Sequence, residues 1–184
     1  MRLFVAVWPS PEAVRTLAGL ARPELAGTRW TSPEQWHVTL RFVGELEDPR
    51  QLVCRLHEFA RSMPSGGVVA TMGPTMELLG AGRVLAVRVS GLDSLAAAVH
   101  QATAGIVALP PPPPFIGHIT VARLGRDSLR TAAGHVLGAR QRASWRVEEI
   151  SWRVEEITVV ASTLLARGSA YEVIARVPLM LPGA

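Results

Sequence analysis

The sequence predicts an α+β protein made of two lobes of similar topology related by an approximate two-fold axis. Three observations carry that prediction. A shift of 81 residues lays Arg2-Leu-Phe-Val-Ala-Val over Arg83-Val-Leu-Ala-Val-Arg, the helical stretch 11–21 over 92–102, and His37-Val-Thr-Leu over His118-Ile-Thr-Val. One offset that aligns a strand, a helix and a second strand is the mark of an internal duplication. Within each half, β-rich runs alternate with amphipathic helices, and each sheet must cover its apolar face with those helices. Finally, 184 residues with 48% hydrophobic and 18% charged content suffice for one core, and carry no signature of disorder.

Taken in order, residues 2–8 are β-rich and Ser10-Pro-Glu opens a helix. Ser10 is a cap, Pro11 suits the first helical position, and Val14, Leu17, Ala18 and Ala21 share a face. Residues 35–43 read as a strand, and Asp48 caps a second helix with Leu52, Leu56, Phe59 and Met63 as its stripe. Strands follow at 67–79 and 83–89 around the turn Gly80-Ala-Gly82. An Ala-rich helix covers 92–106, five prolines (110–114) make a stiff connection, and 115–124 is a strand. A helix near 127–138 and strands near 152–161 and 170–178 complete the chain.

A second repeat is literal: Ser144-Trp-Arg-Val-Glu-Glu-Ile150 recurs as Ser151-Trp-Arg-Val-Glu-Glu-Ile157. Two copies are too few for a coiled coil, and an odd repeat in an unbroken strand reverses the face. One copy is therefore expected to serve as the strand while the other extends it, loops out or pairs elsewhere, with chain exchange through 144–157 as one outcome. On that view 144–150 is dispensable.

Composition excludes several chemistries. All 19 basic residues are Arg and none is Lys, which rules out Schiff-base catalysis, the lysine-bearing phosphate loop and lysine adenylylation. The single cysteine, Cys54, can form neither an internal disulfide nor a structural zinc site, and a buried or half-buried thiol is expected. Only Leu3–Trp8 are apolar before Pro9, too few for a signal peptide, and no run approaches a membrane span. A cytoplasmic location is expected.

Residues i and i+2 of a strand share a face, so His37 points with Thr39 and His118 with Thr120. Under a two-fold axis the two strands face each other across a central cleft, presenting two imidazoles and two hydroxyls. That inventory supports in-line attack at phosphorus without metal: one His takes a proton from the nucleophile and the other supplies one to the leaving oxygen. Thr hydroxyls and Arg guanidinium groups hold the non-bridging oxygens. No third ligand at metal-site spacing accompanies them, and His57, His100 and His135 fall in helical stretches.

These residues resemble the RNA 2′,3′-cyclic phosphodiesterases, once called 2′-5′ RNA ligases, of the two-histidine (2H) phosphoesterase superfamily. Arg2-Leu-Phe-Val-Ala is similar to that family's opening strand. Arg29-Trp-Thr-Ser-Pro-Glu-Gln-Trp-His-Val-Thr-Leu-Arg-Phe-Val-Gly-Glu45 is similar to its first signature and Phe115-Ile-Gly-His-Ile-Thr-Val-Ala-Arg123 to its second. Ser162–Tyr171 resembles its closing segment. The resemblance implies two antiparallel sheets with helices on their outer faces, in one domain spanning 1–184. It implies hydrolysis of RNA 2′,3′-cyclic phosphate ends to 2′-phosphates by a monomer that uses no cofactor. His37 would be the proton donor and His118 the proton acceptor; residues alone leave the swapped assignment open. Thr39 and Thr120 would bind phosphate oxygens, and Phe42 or Trp36 a base. Arg123 lies on the opposite face of an ideal strand and reaches substrate only from the strand end or through a bulge. The family usually has Pro before the second His; Gly117 here is expected to loosen His118. Alternatives are a phosphodiesterase of small cyclic nucleotides and a non-catalytic binder of RNA ends.

Overall fold

Strand β1 (Arg2–Val7) alternates its side chains between two environments. Leu3, Val5 and Val7 enter the main core, whereas Phe4 and Ala6 join Val160, Trp8 and Tyr171 in a small cluster on the other face. This alternation separates the sheet's two sides throughout the computed structural model, which describes residues 1–22, 24, 27–64, 66–106, 113–125, 146–165 and 168–179. The helix expected near 127–138 and most of the proline run lie outside the described residues.

Helices cover the core side. In α1 (Pro11–Ala18) the Ser10 hydroxyl accepts from the Ala13 N–H at 3.2 Å, Pro11 opens the first turn, and Ala13 and Leu17 are buried. Helix α2 (Arg50–Ser62) starts where the Asp48 carboxylate accepts from the Arg50 N–H at 3.0 Å, and it buries Leu52, Leu56 and Ala60. Enclosing a leucine this way contributes about 1.5–3 kcal/mol. Cys54 lies off that stripe and is exposed, contrary to the expected half-buried thiol. In α3 (Asp93–Ala102) Leu95, Ala96 and Val99 pack inward.

The remaining strands are β2 (Thr28–Trp30), β3 (Val38–Glu45), β4 (Val68–Leu79), β5 (Val84–Ser90), β6 (His118–Leu124), β7 (Ile150–Val154), β8 (Glu156–Leu165) and β9 (Gly168–Pro178). Their order is β7-β4-β5-β6-β3-β1-β8-β9, every pairing is antiparallel, and β2 adds to β6. The expected two sheets are thus two four-stranded lobes joined edge to edge, and one residue pair, Val38↔Ile119, makes the seam. Those two residues are themselves 81 apart, so the pseudo-two-fold axis passes between them.

Sequence halves and lobes do not coincide. The first half sends β4 to pair with β5, and the second sends β8 to pair with β1. Each half thereby donates a strand to the other lobe, and neither lobe is a continuous piece of chain. The duplication also slips by one residue: β3 and β6 correspond at an offset of 81, but their partners Phe4 and Val84 correspond at 80.

Several boundaries differ from those expected: the strand expected at 115–124 begins at His118, and the helix expected at 92–106 ends at Ala102. Pro33–Gln35 form a single 3₁₀ turn closed by a capping box (the Ser32 N–H donates to Gln35 Oε1 at 3.2 Å), so the strand begins at Val38. The segment near 152–161 is two strands, split at Glu155. This split also governs the heptapeptide repeat. From Arg146 on, the first copy lies beside β4, with Val147 N–H donating to Pro74 O at 3.0 Å, and the second supplies most of β7. Breaks before Ile150 and at Glu155 reset the alternation, so Val147, Ile150, Val154 and Ile157 are all buried. The expected dispensability of 144–150 runs against this packing, since Val147 and Ile150 enter the core. No helix among the described residues is long and apolar enough to cross a membrane.

Candidate active site

The seam that joins the lobes also builds the site. Val38 and Ile119 turn into the core, fully buried, so the residues flanking them project to the other face. Extending that antiparallel register by one residue sets His37 across from Thr120 and Thr39 across from His118. Four chemically active side chains thus share one patch of one face, all of them half-buried.

Both imidazoles are held in the same way. His37 Nδ1 lies 2.8 Å from the Gln35 carbonyl and His118 Nδ1 lies 2.7 Å from the Ile116 carbonyl. A carbonyl only accepts, so each Nδ1 carries the proton and donates it, which leaves each Nε2 for substrate. The two carbonyls are again 81 residues apart. Positioned imidazoles with free Nε2 atoms can accept or give protons at a group placed between them.

Beyond the histidines the same backbone device occurs twice. Opposite β1, Thr39 pairs with Ala6 and Arg41 with Val5, which skips Leu40; opposite β5, Thr120 pairs with Ala86 and Ala122 with Leu85, which skips Val121. Each skipped residue is a β-bulge that reverses the facing of the residues that follow it, until the next shift at Val43 in β3. Leu40 and Arg41 both turn inward, as do Val121 and Ala122. Phe42 and Arg123 then emerge on the face that bears the histidines. Arg123 accordingly reaches that face through the bulge. Phe42, 66% exposed, sits 6.3 Å from the Phe4 ring. Thr31 braces the second bulge, donating its N–H to Val121 O at 3.0 Å and its hydroxyl to Thr120 O at 2.8 Å. In the first, the inward Arg41 donates to His100 O at 2.5 Å and to the Thr103 hydroxyl at 2.7 Å, where it ties α3's C-terminus to the sheet. Trp36 is fully buried and donates to the Thr31 hydroxyl at 2.9 Å, so it braces the core and offers no stacking surface.

The two-fold is broken chemically where the lobes differ. His37 is boxed by Phe4 (stacked, 4.8 Å), Tyr171 (edge-on, 5.0 Å) and Trp8 (edge-on, 5.8 Å). The Trp8 indole donates to Thr158 Oγ1 at 2.9 Å, which fixes that wall. At the equivalent places beside His118 stand Val84, Arg88 and Arg123 in place of Phe4, Trp8 and Phe42. One half of the patch is aromatic and the other is cationic. The box was legible in part: Phe4, Ala6 and Trp8 alternate with Leu3, Val5 and Val7, but only the fold reveals that Tyr171 closes it.

Gly117 does the opposite of what was expected. A Cβ at this position would lie 2.1 Å from the Val89 carbonyl oxygen, because β5 presses directly on it and Val89 N–H donates to Gly117 O at 2.9 Å. The residue before His118 is therefore pinned rather than loosened.

Burial in the aromatic box pushes the His37 imidazole down to about 4; His118 and Arg123 add smaller repulsions, while the Gln35 carbonyl opposes the shift. The unfolded imidazole titrates near 6.5, so the native state releases this proton on folding. Stability from His37 is complete above pH 6.5 and falls by about 3 kcal/mol on acidification through about pH 4. An NMR titration of the ring protons is expected to place His37 near 4 in the free protein and to move it upward when inorganic phosphate is added. A midpoint between 6 and 7 in the free protein would contradict the burial argument. Among the described residues no three His, Cys, Asp or Glu side chains group as a metal site.

Solved structures share this architecture. TT0787 of Thermus thermophilus superposes with a TM-score of 0.74 at 24% identity, covering 100% of both chains. E. coli LigT in complex with 3′-AMP gives 0.67 at 21% identity over 97% of both. The PDE domain of MHV ns2 gives 0.54 at 13% identity over 95% of this chain and 99% of that one. At these identities the likeness establishes the fold. No curated protein matches the sequence significantly. The family model of LigT-like phosphoesterases, however, matches residues 7–69 and 88–171, a span that holds both histidines, both bulges and Tyr171, and by that match the chain belongs to the LigT-like phosphoesterase family.

Proposed function

We propose that this phosphoesterase hydrolyses 2′,3′-cyclic phosphate ends of RNA to 2′-phosphates without a metal. The observation that carries the reading is the pair of imidazoles tethered through Nδ1 at two-fold-related positions, each beside a threonine of the other motif. A cyclic phosphate seated between them has water on one side and the 3′ oxygen on the other. His118 accepts the proton of the attacking water and His37 donates to the departing 3′ oxygen, while Thr39, Thr120 and Arg123 bind the non-bridging oxygens. Charge gathers on those oxygens in the transition state, so donors fixed beforehand stabilise it more than the ground state. The aromatic half suits the nucleoside side of the substrate, and the half with Arg88 and Arg123 suits phosphate.

The donor role of His37 constrains the order of events. Burial leaves it neutral in the free protein at pH 7, so it must gain its proton as the anion arrives. A phosphate between the rings offsets the repulsion that His118 and Arg123 exert on His37, and so raises the affinity of His37 for a proton. LigT of E. coli, solved with 3′-AMP and with phosphate, supports a nucleotide phosphate as the ligand class. The protein is expected to act as a monomer on RNA ends in the cytoplasm.

The direct test is an oligonucleotide ending in a 2′,3′-cyclic phosphate, incubated with the protein in EDTA. Conversion to a 2′-phosphate is the expected result. Retardation without cleavage would identify a binder instead, and turnover of cyclic mononucleotides alone would identify a small-molecule phosphodiesterase.

A further inference from the structure

Next to His37, where β9 begins, lies a pocket of about 490 Å³ lined by Trp30, Ser32, Glu34, Gln35, Ser169 and Tyr171. That volume is in the range of small-molecule sites. Two of its walls belong to the site already described: the Gln35 carbonyl holds His37 Nδ1, and the Tyr171 ring packs edge-on against the His37 ring. A group bound here therefore adjoins the His37 side of the site.

Its lining chemistry is unlike the rest of the cleft. None of its lining residues is cationic, and its one ionised group is Glu34, so a second phosphate is repelled. Gln35 is held in place at both ends of its amide: Nε2 donates to Ser169 O at 2.7 Å and Oε1 accepts from the Ser32 N–H at 3.2 Å, leaving one donor and one lone pair. Glu34 is exposed at the pocket's edge, and a hydrogen bond from the Ser32 side chain holds its carboxyl below the usual carboxylate range, so the lining carries an ionised carboxylate beside Trp30 and Tyr171. Aromatic faces with one carboxylate and a serine hydroxyl suit a flat ring that carries hydrogen-bond donors.

We infer that this pocket takes the nucleobase attached to the cyclic phosphate and that Glu34 selects guanine. Guanine presents N1–H and N2–H side by side, which matches the two oxygens of a carboxylate. Adenine and cytosine present a donor beside an acceptor. Uracil presents a donor between two acceptors, which a carboxylate repels. The order of preference is therefore guanine, then adenine and cytosine, then uracil. The inference rests on the proposed cyclic phosphodiesterase reading, and the test separates the two.

The experiment compares kcat/KM for the 2′,3′-cyclic phosphates of guanosine and uridine in the wild type and in Glu34→Gln. A single charge-assisted base contact is expected to favour guanosine by about tenfold. In Glu34→Gln, whose amide offers one acceptor and one donor, the ratio is expected to fall to about twofold or less. Calorimetric binding of guanosine and uridine 2′-monophosphates supplies the same ratio without turnover. Equal use and equal binding of the two bases by the wild type would overturn the role of Glu34 while leaving the cyclic phosphodiesterase intact. Guanosine preference that survives in Glu34→Gln would likewise overturn it. Selective binding of guanosine monophosphate with no hydrolysis of any cyclic nucleotide or oligonucleotide would support the pocket and overturn the catalytic reading.

Discussion

His37→Ala and His118→Ala are each expected to lower hydrolysis of a cyclic-phosphate end by about 10²- to 10⁴-fold, with EDTA present throughout. A positioned acid or base is worth that much when its ring is held in place, and here the Gln35 and Ile116 carbonyls hold both rings. The two variants should differ once the leaving group is changed. A 4-nitrophenyl phosphodiester departs without protonation, so loss of the donor matters little for it, whereas loss of the base still matters. Assigned as donor, His37→Ala should recover most of its deficit on the nitrophenyl substrate, and His118→Ala should not. The opposite pattern would exchange the roles and agree with the neutral state that burial imposes on free His37. Equal and small losses in both variants, under tenfold, would remove acid–base catalysis by this pair altogether.

The sequence displayed the site more fully than the fold around it, for a physical reason. Alternation along a strand is local, so His37 with Thr39 and His118 with Thr120 follow from spacing alone, and the offset of 81 implies that the two pairs meet. What lies between them is not local. The bulges at Leu40 and Val121 arise where β3 and β6 pair against shorter stretches of β1 and β5, and no residue type announces them. For that reason Arg123 read as misdirected, and spacing alone did not separate exposed Phe42 from buried Trp36. The three-residue strand β2, too short for a periodic signal, also escaped notice, yet Thr31 beyond its end braces one bulge. Likewise the exchange of β4 and β8 between lobes depends on long-range pairing. The heptapeptide failed differently: its two Val and two Ile residues imply a single face only if the strand is interrupted, and the interruptions lie at polar residues that an unbroken strand would tolerate.

Gly117→Ala is expected to damage this protein more than any other exchange of one methyl group near the site. The added Cβ would stand 2.1 Å from Val89 O, well inside contact distance, and the Phe115 ring is 3.3 Å away on another side. Neither obstacle is a flexible chain end: Val89 O belongs to the backbone of β5, and Val89 N–H is itself bonded to Gly117 O. Relief therefore requires β6 to move away from β5 at the residue preceding His118. Overpacking of this kind costs about 1–3 kcal/mol, read as a lower denaturation midpoint. The displaced imidazole costs more: a shift on the order of 1 Å in a reacting group reduces turnover by about 10²-fold. Because His37 is tethered separately through Gln35, its NMR titration near 4 should persist in the variant. Wild-type turnover in Gly117→Ala would show that β5 yields freely at Val89, and that the close approach of the two strands does not hold His118 in register.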